Sequence, residues 1–178
     1  MPRMRQTAGY VLFFLLISSS PALRFSCSLL HAADRFVWKA APSSGSPYEN
    51  WNTAATNIWD AVNAAQPGET VWVTNGSYGF TNAITISKGI TLRSVNGKLV
   101  TTLRRGTANG IRILVLSNSS VVVDGFTITN GFGRGDTTNT AAYPGASGHS
   151  YGGGIRTYSG TVRNCRIVNN TCKAGIVD

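Results

Sequence analysis

Carboxylates are the first place to look for chemistry, and this chain has few. Beyond residue 33 they are Asp34, Glu49, Asp60, Glu69, Asp124, Asp136 and Asp178. A glycoside hydrolase needs two such groups about 5–9.5 Å apart, and the spacing makes none of these near-neighbours on a strand face. Asp124 precedes Gly125, a dipeptide suited to shaping a turn. Asp136 falls in a loop-like stretch rich in Gly, Thr and Asn. No acid, His or Cys cluster has metal-ligand spacing, so neither a metal nor a cofactor is expected. His149 stands in Gly148-His-Ser150 with no nearby carboxylate to orient its ring, and reads as a loop residue. Gly152-Gly-Gly154 lacks the helix and the Lys-Ser/Thr that complete a phosphate loop, and reads as a turn entering a strand. No catalytic set is assigned.

Cations are better represented. The chain has 16 Lys+Arg against 7 Asp+Glu, a formal charge of +9. Arg156, Arg163 and Arg166 each sit one residue from an inward apolar position, so each is expected to point outward. Arg166 is expected to share an outward column with Trp72, Thr91 and Thr127. Arginines and an aromatic ring on one strand face can hold an acidic sugar, so Arg156, Arg163, Arg166 and Trp72 are the candidate substrate-binding residues. The competing reading is an ordinary solubilising surface. Acidic polysaccharide or a cell-surface glycan is the expected partner. Nucleic acid is not, because no basic helix or RNA-binding signature is present.

The start of the chain points to export. Arg3 and Arg5 precede the apolar run Tyr10–Ile17, which is followed by Ser18-Ser-Ser-Pro-Ala22. That is a secretory signal pattern, too short to span a bilayer of about 20 residues. Residues 1–33 are read as a signal peptide cleaved near Ala33, giving a secreted or cell-surface protein. Its loss removes Arg3, Arg5 and Arg24, which takes 16 basic residues to 13. It also removes Cys27 and leaves Cys165 and Cys172, which read either as a pair or as two thiols. Cys165 suits an inward apolar position.

Residues 34–50 are read as a linker, with Ala41-Pro-Ser-Ser-Gly-Ser-Pro47 its least regular part. A helix is expected over about 53–65, because Ala55, Ile58, Trp59, Val62 and Ala65 share one helical face. Asn52 or Thr53 can cap its start, and Pro67-Gly68 stops it.

The rest reads as strand and turn. Charged residues are only 13% of the chain, about half the roughly 25% of ordinary domains. Ser, Thr and Asn number 17, 19 and 14. This excludes a helical bundle, and 42% hydrophobic residues exclude disorder. Val71/Val73, Ile90/Leu92, Phe126/Ile128 and Cys165/Ile167 repeat an apolar-x-apolar pattern. They are expected to stack in one inward column, with insertions projecting at Val95–Asn109 and Gly131–Tyr151. Asn75, Ser94, Asn130 and Asn169 then recur at one corner, as a hydrogen-bonded ladder would require. A sandwich would need hairpin turns between antiparallel strands, and no Asn-Gly lies between strands that would pair well.

These residues carry a family resemblance. Trp51–Val62, Pro67–Tyr78, Asp124–Gly131, Gly152–Ile155 and Asn164–Asn170 resemble the opening of bacterial right-handed parallel β-helix repeat proteins of the pectin-lyase-like fold group. The Gly-Gly-Gly-Ile and Ile-Val-Asn-Asn pieces also resemble repeats of polymorphic outer-membrane proteins. The resemblance covers Trp51 to Cys172. It implies an all-β fold: a right-handed parallel β-helix of about four coils over residues 70–172, closed at its start by the helix. The expected role is a structural or binding module on the outside of a Gram-negative-type cell. Two alternatives are the N-terminal part of a polysaccharide lyase and an adhesin-like passenger. Both place the deciding residues beyond Asp178, where the chain stops without a cap-like segment.

Overall fold

The computed structural model describes residues 33–107, 110–134 and 152–173. Of the expected signal peptide 1–33, residues 1–32 lie outside the described residues, as do His149, Asp136 and Asp178.

Every strand pairing among the described residues is parallel. In chain order the elements are β1 (Arg35–Val37), α1 (Ile58–Ala64), β2 (Thr70–Val73), β3 (Gly76–Phe80), β4 (Ile84–Ile86), β5 (Thr91–Ser94), β6 (Thr101–Arg105), β7 (Leu114–Asp124), β8 (Thr127–Thr129), β9 (Phe132–Arg134), β10 (Ile155–Arg163), β11 (Arg166–Val168) and β12 (Thr171–Lys173). The first sheet runs β1-β2-β5-β7-β10, with β4 on the front half of β7. The second runs β3-β6-β8-β11, and the third pairs β9 with β12. The fold is predominantly β. No helix among the described residues is long and apolar enough to cross a membrane.

Alternation along each strand turns one row of side chains into the core. In the first sheet Val71, Leu92 and Val123 lie in register, all fully buried. In the second, Tyr78, Leu103 and Ile128 do the same. The apolar pairs expected in one column are therefore split between two sheets. Phe126/Ile128 and Cys165/Ile167 belong to the second sheet, and the partners of Ile90/Leu92 are Val121/Val123. The reason is physical: apolar-x-apolar is what any half-buried strand looks like, so the motif marks a strand without saying which sheet it joins. Ile167 closes its column at 53% exposed, because β11 is the last strand of its sheet.

The corner ladder divides the same way. Asn75 accepts a hydrogen bond from the Asn96 amide at 2.8 Å, and Ser94 donates to Thr101 Oγ1 at 2.7 Å. Asn130 and Asn169 stack at another corner, both left-handed (φ 59° and 53°), with the Asn130 N–H donating to the Asn169 carbonyl. The turn after the first sheet also needs a left-handed residue, and Gly125 (φ 85°) fills it after β7 where Asn164 (φ 51°) does after β10. A Cβ on Gly125 would lie 3.4 Å from Gly97 Cα.

The linker and helix expectations both change. Residues 35–37 are a strand, not linker, and Arg35 is buried between Glu69 (2.9 Å) and Glu49 (2.7 Å). The helix begins at Ile58 and is capped by Asn57, whose side chain accepts from the Asp60 N–H at 3.0 Å. The chain before it cannot be helical, because Ala55 is hydrogen-bonded as an extended segment against β1: its N–H donates to Phe36, and its carbonyl accepts from Trp38. Asn52 and Thr53 cap nothing there. Trp59, expected on the buried face, is 36% exposed, while Ile58, Ala61 and Val62 pack inward. At the other end Lys88 Nζ caps the free carbonyls of Ala65 (2.6 Å) and Asn63 (2.7 Å).

The first expected insertion is also shorter. Thr101–Arg105 is strand β6, paired on both sides, which leaves Val95–Val100 as the loop between β5 and β6, while 108 and 109 lie outside the described residues. Both ends of that loop are pinned: the Val95 N–H donates to the Val73 carbonyl and the Gly76 N–H to the Val100 carbonyl, each at 2.9 Å. In the second stretch Phe132–Arg134 is β9, and 135–151 fall outside the described residues.

Candidate functional site

The residue after each inward Val71, Leu92, Val123 and Val162 faces outward. Register therefore lines up Phe36, Trp72, Arg93, Asp124 and Arg163 across five strands of the first sheet. Asp124 is the centre of this row, with its side chain only 7% exposed. Its Oδ2 accepts from Arg163 Nε at 3.1 Å and lies 3.6 Å from Arg93 Nε, while Oδ1 accepts from the Asn164 amide at 2.9 Å. Burial alone would raise the carboxyl pKa. The hydrogen bonds from Asn164 and Arg163, with the charges of Arg163 and Arg93, outweigh that and hold it below the ordinary value. The group is thus an anion at neutral pH, and it is committed to positioning cations.

Arg93 is held on its other side by aromatic contact. Its guanidinium lies 5.2 Å from the Trp72 ring centroid, and Trp72 Nε1 donates to Asp34 at 2.9 Å. Arg93 remains 47% exposed. It opens into a groove of about 600 Å³ that also involves Trp72, Asp124, Asn164 and, from the projecting loop, Lys98 and Leu99. The loop wall is braced: Ser94 Oγ accepts from the Gly97 N–H at 2.9 Å, and Thr127 Oγ1 donates to the Lys98 carbonyl at 2.7 Å.

The four sequence-selected residues do not converge. Trp72 and Arg163 share the outward row. Arg156 lies on the front half of β10, opposite Val115, with its guanidinium 4.4 Å from the Tyr158 ring centroid. Arg166 is on the second sheet, in a column with Thr127, Thr102 and Ser77, and not with Trp72 or Thr91. That column was misassigned because the repeats were aligned across sheets. Arg93, Lys98 and the clamping role of Asp124 were missed for the same reason. Aligning Leu92 with Val71, Val123 and Val162 places Arg93 in the row at once.

Other chemistry is limited. Cys165 and Cys172 are not joined in a disulfide, and burial pushes the Cys165 thiol up, away from thiolate reactivity. Among the described residues no group of three or more His, Cys, Asp or Glu could hold a metal ion. A second cavity of about 340 Å³ lies beside the start of α1, lined by Lys39, Trp59, Tyr78 and Phe80. Lys39 Nζ donates to the Ser77 carbonyl and sits 5.0 Å over the Tyr78 ring. Burial raises the Tyr78 hydroxyl pKa against a hydrogen bond from Thr74.

No protein family, no curated protein and no solved structure matches the chain.

Proposed function

We propose that the chain is an exported right-handed parallel β-helix module that binds acidic polysaccharide across the Trp72–Arg93–Asp124–Arg163 row and carries out no chemistry itself. The repeat reading is supported by residues that recur in register: Val71, Leu92, Val123 and Val162 in one sheet, Tyr78, Leu103, Ile128 and Ile167 in the next. α1 and β1 then close the first coil, where a bare repeat would leave apolar side chains and strand edges uncovered.

One observation carries the binding reading: a buried, ionised Asp124 fixes two guanidiniums on one exposed strand face beside a groove. A guanidinium held in place loses little conformational entropy on meeting a carboxylate, so its fork is ready for a planar anion. Lys98 adds an ammonium on the loop side. Successive acidic sugars along a chain would meet successive strands of the row.

Binding of polygalacturonate, followed by isothermal calorimetry against a neutral glucan, tests this. Polygalacturonate should bind and weaken with salt, and Arg93→Ala should weaken it about tenfold. Equal retention of the neutral glucan, or an Arg93→Ala protein that binds as the parent does, would sink the reading. Unsaturated product absorbing in the ultraviolet would instead favour the lyase alternative.

A further inference from the structure

Asn-Gly is the dipeptide most prone to lose its side-chain ammonia, because glycine puts no side chain in the way of ring closure onto the preceding amide. The described residues hold this step at Asn75-Gly76, Asn96-Gly97 and Asn130-Gly131. In each the glycine N–H, whose nitrogen would attack, is engaged in a hydrogen bond. Gly76 donates to the Val100 carbonyl at 2.9 Å, Gly131 to Asn170 Oδ1 at 2.8 Å and Gly97 to Ser94 Oγ at 2.9 Å. The three guards are unequal. Gly76 belongs to β3, which is paired with β6. The Asn170 amide is itself fixed, because its Nδ2 donates to the carbonyls of Ile128 and Val168. Gly97 lies in the loop between β5 and β6 and rests on one side-chain hydroxyl. The amide that would react with it, on Asn96, is exposed and donates to Asn75 Oδ1 at 2.8 Å.

We propose that Asn96 is a site of spontaneous deamidation, that Ser94 and Asn75 hold the reaction back in the folded chain, and that the carboxylate it leaves weakens anion binding in the groove. The Gly97 nitrogen loses its proton and attacks Asn96 Cγ. A new C–N bond forms, the bond from Cγ to the side-chain nitrogen breaks, and that nitrogen leaves as ammonia. The cyclic imide then takes up water at either carbonyl and opens to aspartate or to isoaspartate. Both restraints oppose the first step: the Ser94 bond holds the attacking nitrogen, and the Asn75 bond holds the amide under attack. Asn96 lines the groove together with Arg93 and Lys98, so the product sets a negative charge beside the cations that would meet a polyanion. The effect on binding rests on the polysaccharide reading, and the deamidation does not.

Peptide mass mapping of the full chain, incubated in warm, mildly alkaline buffer with and without urea, tests the chemistry. In the folded chain Asn96 should convert before Asn75 and Asn130. In urea all three should convert faster and at similar rates. Ser94→Ala and Asn75→Ala should each speed conversion at Asn96 about threefold or more, the weight of one hydrogen bond. Asn75→Ala, at an exposed position, keeps the comparison should Ser94→Ala fail to fold. Asn96→Asp should weaken polygalacturonate binding about fivefold at low salt, and the loss should fade as salt is raised. Conversion at Asn96 no faster than at Asn75 and Asn130 in the folded chain, or a rate that unfolding and Asn75→Ala both leave unchanged, overturns the site. Asn96→Asp binding as the parent does overturns its effect on the groove. A parent that does not bind polygalacturonate sinks the polysaccharide reading and with it that effect, while the conversion rates still decide the site.

Discussion

Arg163 and Asp124 stand directly opposite one another on β10 and β7, and their Nε–Oδ2 distance is 3.1 Å. The pair ties two successive passes of the chain together at the point where both leave the first sheet. It also makes one acid serve three partners, because Arg93 and Asn164 converge on the same carboxylate, Asn164 by a hydrogen bond and Arg93 by charge.

Removing that carboxylate should cost both binding and stability. Asp124→Asn keeps the shape but not the charge, and should destabilise by about 1–3 kcal/mol in denaturant unfolding. The pH dependence has a definite sign. The folded carboxyl pKa is depressed, so its stabilisation is present above the ordinary carboxylate range and is lost as pH falls through the folded value. Parent and Asp124→Asn should therefore differ at neutral pH and converge in acid. A gap that does not narrow as the pH is lowered into the acid range would contradict the clamp.

Arg35 and Glu69 form a different kind of pair, with side chains 7% and 5% exposed and 2.9 Å apart. Glu69 also accepts from the Gln66 N–H at 2.8 Å, which links β1 to the turn after α1. Glu69→Ala leaves Arg35 with Glu49 alone and removes the acceptor of the Gln66 N–H, and should cost about 1–3 kcal/mol. The double variant Arg35→Met with Glu69→Leu should recover much of that loss. Urea unfolding midpoints of the three proteins provide the comparison.

Leu103 lies between Tyr78 and Ile128 in the second sheet and is fully buried. Leu103→Ala should lose about 2–5 kcal/mol. Ile167→Ala, in the same column but 53% exposed, should lose far less. Comparable losses at the two positions would mean that Ile167 is covered in solution.

Gly125→Ala tests the corner. Its φ of 85° disfavours any L side chain by roughly 1–2 kcal/mol, and the added methyl also approaches Gly97. Asn130→Gly at φ 59° should be nearly neutral or stabilising by comparison. Thermal unfolding of the two variants should shift unequally, with Gly125→Ala clearly lower.

How legible this was in the sequence depended on the level asked about. The strand segments around Ile84, Leu92, Val123 and Ile167 could be read from alternation, because each alternates against one core. Which segments were equivalent could not. Phe126/Ile128 and Val121/Val123 are equally good matches to Ile90/Leu92 by pattern, and only hydrogen-bond register separates them. The helix start was hidden because Ala54 and Ala55 are buried, as a helix face would be, but through contact with β1. Trp72 and Arg163 were found by residue type. Arg93 was missed because a lone Arg between Leu92 and Ser94 carries no signal until its strand neighbours are known.

The pinned ends of the Val95–Val100 loop have a consequence for variation. The Val73–Val95 and Gly76–Val100 backbone bonds hold the two stems whatever lies between them. Lengthening or rewriting the tip leaves Thr91–Ser94 and Thr101–Arg105 in register, at an entropic expense that grows only slowly with length. The loop can therefore vary without disturbing the scaffold, which makes it the natural position for grafting a new segment.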